Sequence, residues 1–158
     1  MTKPRKKKYR PRPVLVNPLG YVLESITPVA AHESYLVDLR IKNHAALAEL
    51  TQGKATKREM DVLINASNMT DALMRMGFGR DYAEVLFKGQ NALLAVARRG
   101  VDTNRFVLRA EEMNAINTLF ELHDAQLDVM VVKDIERALQ LIERERRAKK
   151  MIPVKETK

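Results

Sequence analysis

The chain has 158 residues, a formal net charge of +8, 46% hydrophobic and 30% charged residues, and no cysteine or tryptophan. Length and apolar content fit one compact domain that buries roughly two thirds of its unfolded surface, and they exclude wholesale disorder. The absence of cysteine excludes disulfides, thiolate zinc sites, iron–sulfur clusters and thiol nucleophiles.

The positive charge is unevenly placed. Residues 1–13 hold seven bases and no acid, residues 143–158 hold seven bases and three acids, and residues 14–142 hold fourteen bases and seventeen acids. A mildly acidic body thus lies between two basic ends. The expected organisation is a disordered basic arm at 1–13, a single helical domain at 14–150 and a flexible tail at 151–158.

In the arm, Pro4, Pro11 and Pro13 remove amide donors while like charges repel, so an extended chain is expected rather than a helix or strand. At about 3.3 Å per residue it reaches roughly 40 Å. Lys3, Arg5, Lys6, Lys7, Lys8, Arg10 and Arg12 can follow a phosphate backbone, and Tyr9 can stack on an exposed base. The same composition also suits docking on an acidic protein, or a purely solubilising tail.

Helical spacing begins at Asn17, where Pro18 suits a first turn and Leu19, Val22, Leu23 and Ile26 share a face. A second helix over 29–52 carries Leu36, Leu39, Leu47 and Leu50 and closes at Gly53. Thr56-Lys57-Arg58-Glu59 has the form of a capping box and opens a third, with Met60, Leu63, Ile64, Leu73 and Met76 inward. After a turn at Gly77-Phe78-Gly79, Asp81 with Glu84 repeats the capping pattern before a fourth. Leu86, Phe87, Leu93, Leu94 and Ala97 are its core residues, and it ends at Gly100.

Phe106-Val107-Leu108 is short, apolar and without a partner strand, which suits an extended connector. From Ala110 the pattern is helical for about forty residues, roughly 60 Å at 1.5 Å per residue and longer than a globule of this size is wide. It must break or project. Val129-Met130-Val131-Val132 covers every face of a helix, so that stretch is enclosed, bent or packed in a dimer. The stripe of Met113, Ile116, Phe120, Leu127, Val131, Ile135, Ala138 and Ile142 is where a homodimer through the 113–142 helix would form. The fold class is all-α: about five helices, a long C-terminal helix and a disordered basic N-terminal arm.

Catalytic signatures are sparse. His32, His44 and His123 lie outside any metal-binding spacing, and His44 and His123 read as structural histidines. Asn117, Glu121, Asp124 and Asp128 follow one helical face, which suits a solvated surface, a contact with basic protein or a magnesium site for phosphodiester chemistry. Phosphate-binding glycine loops and the hydrolase nucleophile motif are missing. A helix-turn-helix across Met76 to Arg80 is disfavoured, because Asp81 and Glu84 would repel phosphates at the start of its recognition helix. Arg98 and Arg99 end that helix and can meet either phosphate or terminal carbonyls. Glu143 with Arg147, and Glu145 with Lys149, have the favourable i,i+4 order of a self-stabilised helix end.

The chain resembles small uncharacterised proteins encoded in phages and prophages of Gram-negative bacteria. The strings that carry the resemblance are Lys6-Lys7-Lys8-Tyr9-Arg10-Pro11-Arg12-Pro13, Lys42-Asn43-His44-Ala45-Ala46-Leu47 followed by Leu50-Thr51-Gln52-Gly53, and Glu121-Leu122-His123-Asp124-Ala125-Gln126-Leu127. The resemblance implies a bacterial cytoplasm and accessory work, such as regulation or interference with host systems. No run approaches the ~20 apolar residues of a membrane span, and no signal peptide is seen. The expectation is a cytoplasmic, non-enzymatic protein without cofactor or membrane partner that contacts DNA or RNA through its arm. The alternative is a module that modulates a host or phage protein complex.

Overall fold

The computed structural model describes Ile26 and residues 33–148. The arm at 1–13, the first helix apart from Ile26, and the tail at 151–158 lie outside the described residues. Ile26 is in a turn and 55% exposed.

Five α-helices and no β-strand make up the described residues: α1 Glu33–Thr51, α2 Lys57–Arg75, α3 Ala83–Thr103, α4 Ala110–Val129 and α5 Val132–Arg147. A 3-10 turn at Arg80–Tyr82 precedes α3. The all-α class follows from helical spacing of apolar residues with punctuation at the expected positions. Gly53 closes α1 with φ +69, and Lys54 N–H donates to Glu49 O at 2.9 Å. At the start of α2, Glu59 Oε2 accepts from Thr56 N–H at 2.8 Å and Thr56 Oγ1 accepts from Arg58 N–H at 3.2 Å, the predicted capping box.

Helix α2 packs against all four others and runs through both apolar clusters. Met60, Leu63 and Ala66, toward its start, join Leu50, Val96, Ile116, Leu119 and Phe120 in the larger core. Ala72 and Leu73, toward its end, join Leu127, Met130, Ile135 and Ala138 in the smaller one. Of the predicted inward residues of α2, Met60, Leu63 and Leu73 are buried, whereas Ile64 and Met76 are half-buried.

The fourth predicted helix differs in three respects. Gly79, at φ +81, leads into the 3-10 turn, so α3 begins only at Ala83 and has no side-chain cap; Glu84 pairs with Lys88 instead. Phe87 is 65% exposed. Gly100 does not end the helix, which continues to Thr103 and stops at Asn104 in the left-handed region, φ 53. Gly100 is instead a contact point: a Cβ there would stand 2.1 Å from the Phe106 ring. That ring, with Arg99 Nη2 donating to Val107 O at 2.8 Å, holds the extended connector against α3.

The long C-terminal pattern is present as α4 and α5, divided at Met130. Met130 takes an extended conformation, φ −81 and ψ 153, and is fully buried, while Val129 is 68% exposed and Val131 and Val132 are half-buried. An all-round apolar run is thus accommodated by bending the chain. Ile116, Phe120, Leu127, Ile135 and Ala138, the middle of the stripe offered for a homodimer, are buried within a single chain.

Candidate nucleic-acid interface

Lys3, Arg5, Lys6, Lys7, Lys8, Tyr9, Arg10 and Arg12 lie outside the described residues. The described body shows how its own cations are used. Arg99 makes a two-pronged pair with Glu112, Nη1 to Oε1 at 2.7 Å and Nη2 to Oε2 at 2.5 Å, and this pairing holds the Glu112 carboxyl below its usual range. Arg99 is therefore a clamp between α3 and α4, and its neighbour Arg98 is exposed. On α2, Arg75 donates to Asp71 at 2.6 Å and also pairs with Glu145 of α5. Arg147 Nε donates to Glu143 Oε1 at 2.8 Å, the predicted i,i+4 pair, while Arg144 and Arg146 are exposed.

The polar stripe of α4 is drawn into the fold at one end. Asn117 and Glu121 are exposed, but Asp124 and Asp128 meet α1: His44 Nε2 lies 2.7 Å from Asp124 Oδ2, and Arg40 pairs with Asp128 and donates to Asp124 O at 3.2 Å. Arg40 and His44 are four residues apart on α1, as Asp124 and Asp128 are on α4. The spacing of four puts each pair on one face of its own helix, and only the packing shows that these two faces meet. His44 is about half exposed at this contact, which fits the reading of a half-buried structural histidine. Among the described residues no three His, Asp or Glu side chains converge to hold a metal ion.

His123 is 2% exposed, and burial pushes its pKa down to about 4, with Arg40 and His44 acting in the same direction and Asp124 against it. Thr70 Oγ1 donates to Ala66 O at 3.1 Å, so it accepts from His123 Nδ1–H at 3.0 Å. Gln126 Nε2 bridges Thr70 O at 3.3 Å and Phe78 O at 3.0 Å. These contacts make a structural polar seam between α2 and α4. The reading of His123 as a structural histidine holds, and its partner comes from α2 because its own helix face offers no carboxylate.

No protein-family model, curated protein or solved structure matches the chain. Among the described residues, no helix is long and apolar enough to cross a membrane.

Proposed function

We propose that this is a non-enzymatic binding protein, of the accessory kind found in phages and prophages, that contacts the DNA or RNA backbone through its basic arm. Lys3, Arg5, Lys6, Lys7, Lys8, Arg10 and Arg12 meet phosphates, and Tyr9 stacks on an exposed base. The supporting observation is where the net charge resides. Residues 33–148 hold seventeen bases and eighteen acids, and Arg40, Arg75, Lys88, Arg99 and Arg147 are each paired within the fold. The net charge of +8 therefore comes from the ends, and seven of the positive charges fall within thirteen residues free of acid.

A titration of binding against salt, on random duplex DNA and on single-stranded RNA, tests the reading. Full engagement of seven cations on duplex DNA gives a log–log slope of about −6. Replacing all seven by glutamine in the full chain should bring the slope close to zero. If that variant keeps the slope, the contact lies on the body and the arm reading fails. If neither protein binds at about 100 mM salt, the second reading gains: a module that docks on a host or phage protein. The exposed aromatics Phe87 and Tyr82, at 65% and 56%, favour that alternative.

A further inference from the structure

Helix α3 turns Leu86, Gly89, Leu93, Val96 and Gly100 toward α2 and α4. Its outer side is apolar as well. Phe87, Leu94 and Val101 are seven residues apart, so they drift only about 20° per step and form one row along the helix. Phe87 is 65% and Val101 42% exposed, and Leu94 is half-buried. A helix face that meets water alone is ordinarily polar, as on α5, where Lys133, Arg137, Gln140 and Arg144 recur at helical spacing. An exposed apolar row with an aromatic in it marks a surface that meets another protein.

The charges beside the row identify that protein. Near the start of the row Lys88 pairs with Glu84 at 2.6 Å; near its end Arg98, Asp102 and Arg105 are exposed and have no ion pair among the described residues. Two copies of α3 laid antiparallel about a two-fold axis at Leu94 set Phe87 of each against Val101 of the other. Glu84, Lys88 and Asp102 lie on the same flank of the row, and this pairing brings like flanks together. Lys88 then stands about 3 Å along the axis from Asp102 of the other copy, and its three donors can serve that carboxylate and Glu84 together. Glu84 comes level with Asn104 of the other copy, next to Arg105, and Arg98 falls within about one turn of the facing Phe87 ring, which attracts a cation. A parallel pairing would instead set Glu84 against Glu84 and Asp102 against Asp102. The face is therefore complementary to itself in the antiparallel register.

We propose that two copies of this chain associate through α3, antiparallel, with Leu94 on the two-fold axis. The contact is independent of what the arm binds.

Sedimentation of the full chain from about 1 to about 500 µM should show the mass rising from 18.0 kDa toward twice that value, with a Kd on the order of 10–100 µM for so narrow a face. Phe87→Glu, at an exposed position, should raise that Kd at least about tenfold with Tm unchanged. Lys88→Glu and Asp102→Lys should each raise it roughly fivefold, and the two together should restore it to within about twofold, because the exchanged charges face each other again. The chain has no cysteine, so Leu94→Cys under oxidising conditions should give a disulfide-linked dimer, whereas Asp61→Cys, exposed on α2, should not. A chain that stays monomeric up to about 500 µM overturns the proposal and leaves the face to a different protein. A dimer untouched by Phe87→Glu, or a double charge exchange that binds as weakly as the single ones, also overturns it.

Discussion

A histidine enclosed in a helical core makes stability depend on pH in a window that reaches above the ordinary carboxylate range. His123 has a pKa of about 4 in the fold against an ordinary value of 6.5. Between those values the unfolded chain binds a proton that the folded chain excludes, so stability rises with pH there and is lost on acidification. The loss is fully developed only near the folded value, and it amounts to at most about 3 kcal/mol. Glu59, Glu84 and Glu112 all titrate below their usual range, so their contributions disappear at lower pH still. Urea unfolding at steps from about pH 7 down to about pH 5.5 should therefore show a falling midpoint. A flat midpoint across that range would mean that His123 is not enclosed as described. Gly89 makes a second sharp case. A Cβ there would stand 2.6 Å from Leu119 Cβ, close to the backbone of α4, so the neighbour cannot swing away. Overpacking of this kind costs about 1–3 kcal/mol, more than the helix propensity that alanine usually gains over glycine. Gly89→Ala should lower the urea midpoint with the m-value unchanged.

The helix boundaries that could be read from the sequence are those set by residues close together in the chain. Thr56 and Glu59 cap each other within one turn, and replacing Thr56 by alanine should cost about 1 kcal/mol. Faster hydrogen exchange confined to the first turn of α2 would locate that loss, whereas a loss spread over all helices would point to a packing role. Gly53 ends α1 for a similarly local reason, its positive φ. Where the reading from sequence departs from the structure, the cause is a distant partner or a shifted start. Gly100 resembles a helix stop, yet it is glycine because the Phe106 ring rests on it. Asp81 and Glu84 resemble a cap, but the turn beginning at Gly79 moves the helix start to Ala83, leaving Glu84 to pair with Lys88. Val129 to Val132 shows the middle case. Its pattern demanded enclosure, bending or a partner, and only the packing of Met130 against Leu73, Leu127 and Ile135 selects the bend. Arg40 with His44, and Asp124 with Asp128, could be placed on one face of their own helices by spacing, but not matched to each other.

The separation of charge between arm and body makes a prediction that binding alone cannot test. The ion pairs that tie the helices together, Arg40 with Asp128, Arg75 with Glu145 and Arg99 with Glu112, each have both partners inside residues 33–148. With seventeen bases and eighteen acids, that span is close to neutral, so its folding does not depend on positive charge elsewhere in the chain. Replacing the seven arm cations by glutamine takes the formal net charge from +8 to near +1, which if anything relieves repulsion between the two basic ends. Thermal unfolding of this variant should coincide with that of the unaltered chain to within about 2 °C at moderate salt, a shift that corresponds to about 0.5–1 kcal/mol for a domain of this length. The same preparation should lose the salt-dependent component of nucleic-acid affinity. Only the two results together assign the arm a role in contact and not in folding. If the variant instead melts several degrees lower, the arm packs on the body, and its weakened binding would then report a damaged fold rather than lost phosphate contacts.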